Sequence, residues 1–247
     1  MYRGIRVGVS IPAYNEETQV GRVIETMPDF VDLMVVVDDC SNDRTVEIVR
    51  QYMQNCPKIV LIENETNMGV GGASCRGYKE ALKKGMDAVA VMAGDAQMHP
   101  DDLPAMLDPI VDGLVDYTKG NRLGNPDVWR VMPKYRYIGN HLLSFMSKLA
   151  SGYWRVTDSQ AGYTAINRQS LEELDLDRIG KGYIFENSML VELNLLNKRV
   201  INVPIMPVYN VGEQSKIRLM RVSTEMLIYL SGAFFSRIWR KYIKWHC

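Results

Sequence analysis

The stretch DLMVVVDDCSNDRT, residues 32–45, sets five consecutive apolar residues between acids. A run that does not alternate reads as a strand buried on both faces, the mark of an inner strand in a parallel sheet covered by helices. Asp38 and Asp39 close the run, and Ser41 to Thr45 supply capping and turn residues that open a helix over about 44–55. The same rhythm extends outward. IRVGVSI (5–11) precedes a helical pattern over about 17–27, KIVLIE (58–63) precedes one over about 71–84, and DAVAVMA (87–93) closes the series. Strands alternating with helices predict crossover units on a parallel sheet, an α/β fold. Ligands of such sheets bind beyond the carboxyl ends of the strands. Three of these ends carry polar clusters: PAYNEE, DDCSNDRT and GDAQMHP.

Beyond residue 100 a helix is predicted near 101–112 and a strand near VDYTKGNR, followed by a Gly-, Pro- and Asn-rich loop, LGNPDVWRVMPK. Helical patterns return over about 135–150, 168–174 and 185–198, and RVINVPI (199–205) reads as a short strand.

With 247 residues, 47% of them hydrophobic, the chain can bury a full core, which excludes disordered and fibrous classes. Its four cysteines form no C-x-x-C pair and no zinc spacing, so a reducing cytoplasm is the expected setting. No secretory leader pattern opens the sequence, and nowhere do about 18 apolar residues run together. The expectation is a protein neither exported nor spanning a bilayer. The formal net charge of zero hides an asymmetry. Residues 216–247 hold seven basic residues and one acid, Glu225, and the rest of the chain carries the compensating acidic excess. A basic end of this kind points to an anionic partner, a membrane surface or a nucleic acid.

The polar clusters admit particular chemistries. Adjacent acids repel unless a donor or ligand offsets them, so Asp38 and Asp39 are candidates to accept from a nucleobase N–H or a ribose hydroxyl. In NETNMGVGGASCRGYKEAL, Asn67, Gly69, Gly71 and Gly72 stand before a helix, where bare amides hold a phosphate or simply make a glycine-rich turn. The stretch matches neither G-x-x-x-x-G-K-[ST] nor G-x-G-x-x-G. Asp95 and Gln97, at alternate positions past a buried strand, suit Mg²⁺ or Mn²⁺ completed by substrate phosphates and water; a capping network for the next helix is the equal alternative. His99 reads as a cap or packing residue rather than a ligand.

Taken in order, IPAYNEE, VVVDDCSNDRT, NMGVGGASCRGYKEAL, VMAGDAQMHPDDL, KGNRL, DSQAGYTAINR and GYIFENSML resemble the family 2 inverting glycosyltransferases, and among these the polyprenyl-phosphate sugar transferases. The resemblance covers roughly residues 5–218. It implies a GT-A fold, Rossmann-like with a mostly parallel sheet, a nucleotide-sugar donor of the UDP or GDP type and a divalent metal. It implies that Pro12, Tyr14 and Glu16 line the nucleotide pocket, that Asp38 and Asp39 meet base and ribose, and that Asp95 and Gln97 are the second acid and the glutamine of a D-x-D-x-Q pattern. Ala93 stands where the first acid is usual, which leaves more of the metal's binding to the diphosphate. Arg122 and Arg136 resemble the arginines that hold an acceptor phosphate, and Ser215, Lys216 and Arg218 the segment that closes on the diphosphate. With the charge asymmetry, the expected division is a catalytic domain, 1–215, and a basic amphipathic helical tail, 216–247.

A lipid monophosphate, with a second pKa near about 6, is already an anionic nucleophile at neutral pH. The absence of a visible nucleophile–base pair then leaves no gap, and the expectation is in-line displacement with inversion. The tail, VSTEMLIYLSGAFFSRIWRKYIKW, has an apolar run too short to span, followed by Trp, Tyr and basic residues suited to the cytoplasmic face of an anionic membrane. A helix packed on the domain or on a sister subunit in a homo-oligomer is the alternative. Nucleic-acid binding is not expected, given the acidic main domain. Other readings are a transferase acting on a glycan or protein and a non-catalytic nucleotide-sugar sensor, the latter motivated by Ala93. A sugar nucleotidyltransferase lacks its early Gly-rich loop with Arg and Lys.

Overall fold

The structure, a computed structural model, describes residues 1–124, 128, 132, 134–206, 208 and 219–243. Its elements run β1 (Val7–Ala13), α1 (Val20–Glu25), β2 (Leu33–Asp38), α2 (Thr45–Met53), β3 (Ile59–Glu63), α3 (Gly69–Lys83), β4 (Ala88–Val91), α4 (Leu103–Val111), β5 (Tyr117–Asn121), α5 (Lys134–Ser151), β6 (Thr164–Asn167), α6 (Arg168–Glu173), α7 (Phe185–Leu195), β7 (Val200–Pro204) and α8 (Leu219–Ile238). The seven strands form one sheet in the order β3-β2-β1-β4-β6-β5-β7. Every pairing is parallel except those of β6, which runs against both β4 and β5.

The alternation of side chains across a strand sorts the core into two layers. Val7, Val9 and Ile11 of β1 with Met34 and Val36 of β2 join the cluster under α1, α2 and α4. Leu33, Val35 and Val37 of β2 with Val89 and Val91 of β4 join the cluster under α3 and α7. Both faces are covered, which is why these strands read as continuous apolar runs.

The α/β expectation and the strands of the first half hold. The exception is β6, four residues (TAIN) in the motif DSQAGYTAINR, which no strand signal marked. Too short to show a period, it owes its place to partners on both sides, and it is the antiparallel element that separates β4 from β5.

The helix expected in the basic tail is α8, and it packs on the domain. Met226, Leu230 and Ala233 are buried with Ala150 of α5 and Val191 of α7. Three tail cations turn inward. Arg237 Nε donates to the Ala150 carbonyl (2.7 Å), Arg240 forms a fork on Glu192 (2.6 and 3.1 Å), and Lys241 Nζ donates to Asn194 O and Oδ1. Ser215, Lys216 and the boundary expected there lie outside the described residues.

Candidate active site

At the carboxyl end of β1 the chain runs into Tyr14, Asn15 and Glu16, and the segment Ser41–Thr45 beyond β2 staples this loop from below. Ser41 Oγ accepts the Asn15 N–H (2.9 Å), Thr45 Oγ1 the Glu16 N–H (2.8 Å) and Asp43 Oδ2 the Glu17 N–H (3.0 Å). Asp43 also takes the Thr45 N–H (3.0 Å). Its bonds to Thr45 and Glu17 outweigh its partial burial and hold its pKa below the usual carboxylate range. The polar residues expected to cap α2 therefore do more than cap: they fix the loop that carries Tyr14 and Glu16. Pro12 lies in β1, buried, beside Val37 of β2.

The adjacent acids have different fates, although both are buried. Asp39 is saturated. Its Oδ1 accepts from Asn64 Nδ2 (2.7 Å) and the Met68 N–H (2.8 Å), and its Oδ2 from the Gly69 N–H (2.8 Å), tying β2 to the start of α3. Asp38 Oδ2 accepts the Ser41 N–H (3.1 Å), while its Oδ1 is buried without a hydrogen-bond partner. A buried carboxylate oxygen left unpaired is costly, and a donor arriving with a ligand offsets that cost.

The glycine-rich turn resolves toward its alternative. The Gly69 N–H is bound to Asp39 and also to Asn67 Oδ1 (3.2 Å), the Asn67 carboxamide donates to Asp39 O (3.1 Å), and the Gly72 N–H donates to Lys181 O (3.0 Å). These amides hold protein rather than a phosphate. The glycines are required by close approach: a Cβ on Gly69, at φ +75°, would stand 2.8 Å from Lys181 O, and one on Gly71 would collide with Gly180 O.

The pleat of β4 ends at Val91, so Asp95 and Gln97 do not project from a continuing strand as the spacing suggested. They sit in a turn in which Ala96 has φ 57° and the Gln97 N–H donates to Asp95 Oδ1 (3.1 Å). Both side chains are half-exposed, and among the described residues the Gln97 carboxamide has no partner. No group of three or more His, Cys, Asp or Glu side chains stands ready for a metal among the described residues. One carboxylate and one carboxamide at an open edge nevertheless suit Mg²⁺, which ordinarily takes one or two carboxylates together with substrate phosphates. His99 is a cap: its Nδ1 accepts the Asp101 N–H (3.3 Å).

Backbone strain marks the same edge. Of the five non-glycine residues with positive φ among the described residues, three follow these strand ends: Asn15 (53°) after β1, Cys40 (66°) after β2 and Ala96 after β4. Such conformations persist only where the surroundings over-determine them, and they concentrate at functional sites.

Arg122, just past β5, is clamped. Its Nε and Nη2 donate to Asp158 Oδ2 and Oδ1 (2.8 and 3.0 Å), and its backbone N–H adds a third bond to Oδ2 (3.1 Å). Asp158 is fully buried, and a fifth of the Arg122 side chain is exposed. Burial pushes the Asp158 carboxyl up, but Arg122 and, less strongly, Lys119 outweigh it and hold the pKa below the ordinary range. Lys119 is itself fully buried on β5, its Nζ donating to Ala161 O (2.7 Å), and burial lowers its pKa to about 8. Glu186, in the first turn of α7, is raised by desolvation against the pull of Lys119. Asp158, Lys119 and Glu186 were absent from the sequence-derived candidates; the available signals were a lysine inside the strand stretch VDYTKGNR, a glutamate inside GYIFENSML and the acid that opens DSQAGYTAINR. Arg136 falls in the first turn of α5, with its side chain outside the described residues, and Arg218 lies wholly outside them.

This geometry, three polar strand ends and a clamped arginine on one sheet edge, belongs to a known group. Residues 9–175 match the family described as Glycosyl transferase family 2. The chain is a family 2 glycosyltransferase. The transferase is 34% identical over 214 residues to the UDP-N-acetylglucosamine–dolichyl-phosphate N-acetylglucosaminyltransferase of Methanococcus voltae, covering 81% of this chain and 84% of that one. It is 30% identical over 206 residues to the undecaprenyl-phosphate mannosyltransferase of Micrococcus luteus, covering 81% and 83%. In fold it resembles glucosyl-3-phosphoglycerate synthase of Mycobacterium tuberculosis, solved with Mn²⁺, UDP and phosphoglyceric acid, at TM-score 0.68 and 19% identity over 95% of this chain and 78% of that one. The expected GT-A architecture is thereby shown.

Proposed function

We propose that the protein transfers a sugar from a uridine-diphosphate sugar to a polyprenyl phosphate, with inversion at the anomeric carbon. The observation that carries the donor is the orphaned Asp38 Oδ1. Uracil offers one imide N–H, which one free oxygen satisfies; guanine presents two adjacent donors that ask for both oxygens, and Oδ2 already holds the Ser41 amide. The donor named in the M. voltae relative supports the same choice. In this reading Pro12, Tyr14 and Glu16 line the nucleotide pocket, and Asp39 fixes the shape of the loop beside it.

The acceptors named in the relatives are dolichyl and undecaprenyl phosphates. A phosphate monoester, anionic at neutral pH, attacks without a general base. That suits an edge whose histidine, His99, is engaged as a cap. Arg122, pinned by Asp158, and Arg136 would hold the acceptor phosphate in line, while Ser215, Lys216 and Arg218 would close on the donor diphosphate. Asp95 and Gln97 would hold Mg²⁺ or Mn²⁺, which supplies charge neutralisation for the leaving diphosphate; the structural neighbour solved with Mn²⁺ and UDP supports that choice. The protein's own contribution is positioning, the largest resource when the nucleophile needs no activation. We place the enzyme in the cytoplasm, peripheral to the membrane that carries its acceptor.

The test is transfer of radiolabelled sugar from UDP-N-acetylglucosamine, UDP-glucose and GDP-mannose to short-chain polyprenyl phosphate, with Mg²⁺ or with EDTA. A lipid-extractable, anomerically inverted product from a UDP-sugar, lost in EDTA, is expected. Retained configuration, or product from GDP-mannose alone, would refute the reading.

A further inference from the structure

Outside the site, α5 exposes Ile138 (64%), Leu142 (60%), Phe145 (53%) and Leu149 (36%). The spacing i, i+4, i+7, i+11 puts all four on one helix face. α8 lies alongside, its Met226, Leu230 and Ala233 buried in the seam with Ala150, and turns Ile228, Phe235 and Trp239 to the outside. Each helix thus carries exposed large apolar side chains on its outer side, the reverse of a helix that merely covers a core.

We propose that this two-helix face docks on an anionic lipid surface, seating its apolar side chains at the boundary between headgroups and acyl chains. The proposal rests on the lipid-acceptor reading of the site. Four observations select lipid as the occupant. α5 carries Lys134, Arg136 and Lys148 and no acid in its 18 residues, a charge balance that complements anionic headgroups. Trp154 and Arg155, both exposed, follow its end, and Trp239 stands two residues beyond Arg237, whose guanidinium joins α8 to Ala150; tryptophans so placed suit an interface. No helix among the described residues is long and apolar enough to cross a membrane, so the face lies on a bilayer rather than through it. Finally, α5 is tied to the Arg122 clamp, its Ser144 Oγ accepting the N–H of Ser159, the neighbour of Asp158 (3.1 Å), so docking through this face brings that edge to the lipid surface where a polyprenyl phosphate resides.

The inward bonds of Arg237, Arg240 and Lys241 change which part of the tail acts. These cations anchor α8 to α5 and α7. Attachment therefore depends chiefly on apolar insertion, with the cations of α5 adding a salt-sensitive share.

The test is flotation of the full chain with phosphatidylcholine vesicles, with and without phosphatidylglycerol. The double variant Leu142→Glu/Phe145→Glu is compared with Leu114→Glu, an equally exposed apolar position on the turn between α4 and β5, outside both helices. Wild type and Leu114→Glu are expected to float, better with phosphatidylglycerol, and the double variant to lose roughly tenfold in partitioning per substitution. The double variant should still glycosylate a water-soluble short-chain prenyl phosphate, so that failure to dock and failure of the acceptor reading give different results. Circular dichroism checks folding, with Ile138→Ser/Phe145→Ser as the milder pair. Flotation of both double variants like wild type would overturn the proposal. So would a wild-type dimer that ignores vesicles and dissociates when the face is mutated, which would make the face a contact between copies.

Discussion

The two sides of the sheet secure their polar residues in opposite ways. Around β1 and β2, side chains of Ser41, Asp43 and Thr45 hold backbone amides at the surface, one residue after another along the sequence. Around β5 and β6, the charges are buried: Asp158 and Lys119 are inaccessible, and Arg122 is forked onto the first of them. The loop beyond β1 thus rests on several hydrogen bonds at or near the surface, where water can stand in for a lost partner, and the β5–β6 side on a few buried charges that nothing replaces. Perturbation should therefore be graded across the sheet.

The largest effect is expected from Asp158→Asn, which leaves the Arg122 guanidinium without its buried counter-charge. Urea unfolding should show a loss of about 3–5 kcal/mol, and transfer should fall with it. Next comes pH. Burial depresses Lys119 from 10.5 to about 8 in the folded state, so between those values the unfolded chain binds more protons and stability rises with pH. The unfolding free energy from urea titrations should climb over that window by up to about 1.4 kcal/mol per pH unit from this group, and the climb should flatten in Lys119→Met. Third, Asp38→Asn should weaken UDP binding in calorimetry by about 1.5–3 kcal/mol, the range for a hydrogen bond to a charged group, with little change in unfolding. Smallest, Asp43→Ala removes surface bonds to two amides and should cost about 1 kcal/mol in urea unfolding. An Asp43→Ala loss equal to that of Asp158→Asn would erase the contrast.

The β1–β2 side was legible because its signals are local. Apolar runs of five residues announce buried strands, and DDCSNDRT and GDAQMHP mark the strand ends that the fold assembles. What the sequence could not give was the division of labour between Asp38 and Asp39, since Asn64 and the Met68 and Gly69 amides reach Asp39 only once α3 is docked. Nor could it show that Gly69 and Gly71 make room for residues 180–182, a contact more than a hundred positions away. The β5–β6 side was legible only through family resemblance, which pointed to Arg122. Its clamp pairs positions 36 apart in sequence, and β6 is too short to have a period. The alanine at 93 and the turn at Ala96 show the same limit beyond β4: residue type marked the place, and only the fold set the geometry.

The most direct test offers the enzyme a polyprenyl phosphate and the matching polyprenol under identical conditions, with UDP-sugar and Mg²⁺. An acceptor that brings its own anionic nucleophile predicts product from the phosphate alone. Comparable transfer to the alcohol would require a general base that this account does not contain, and would contradict it.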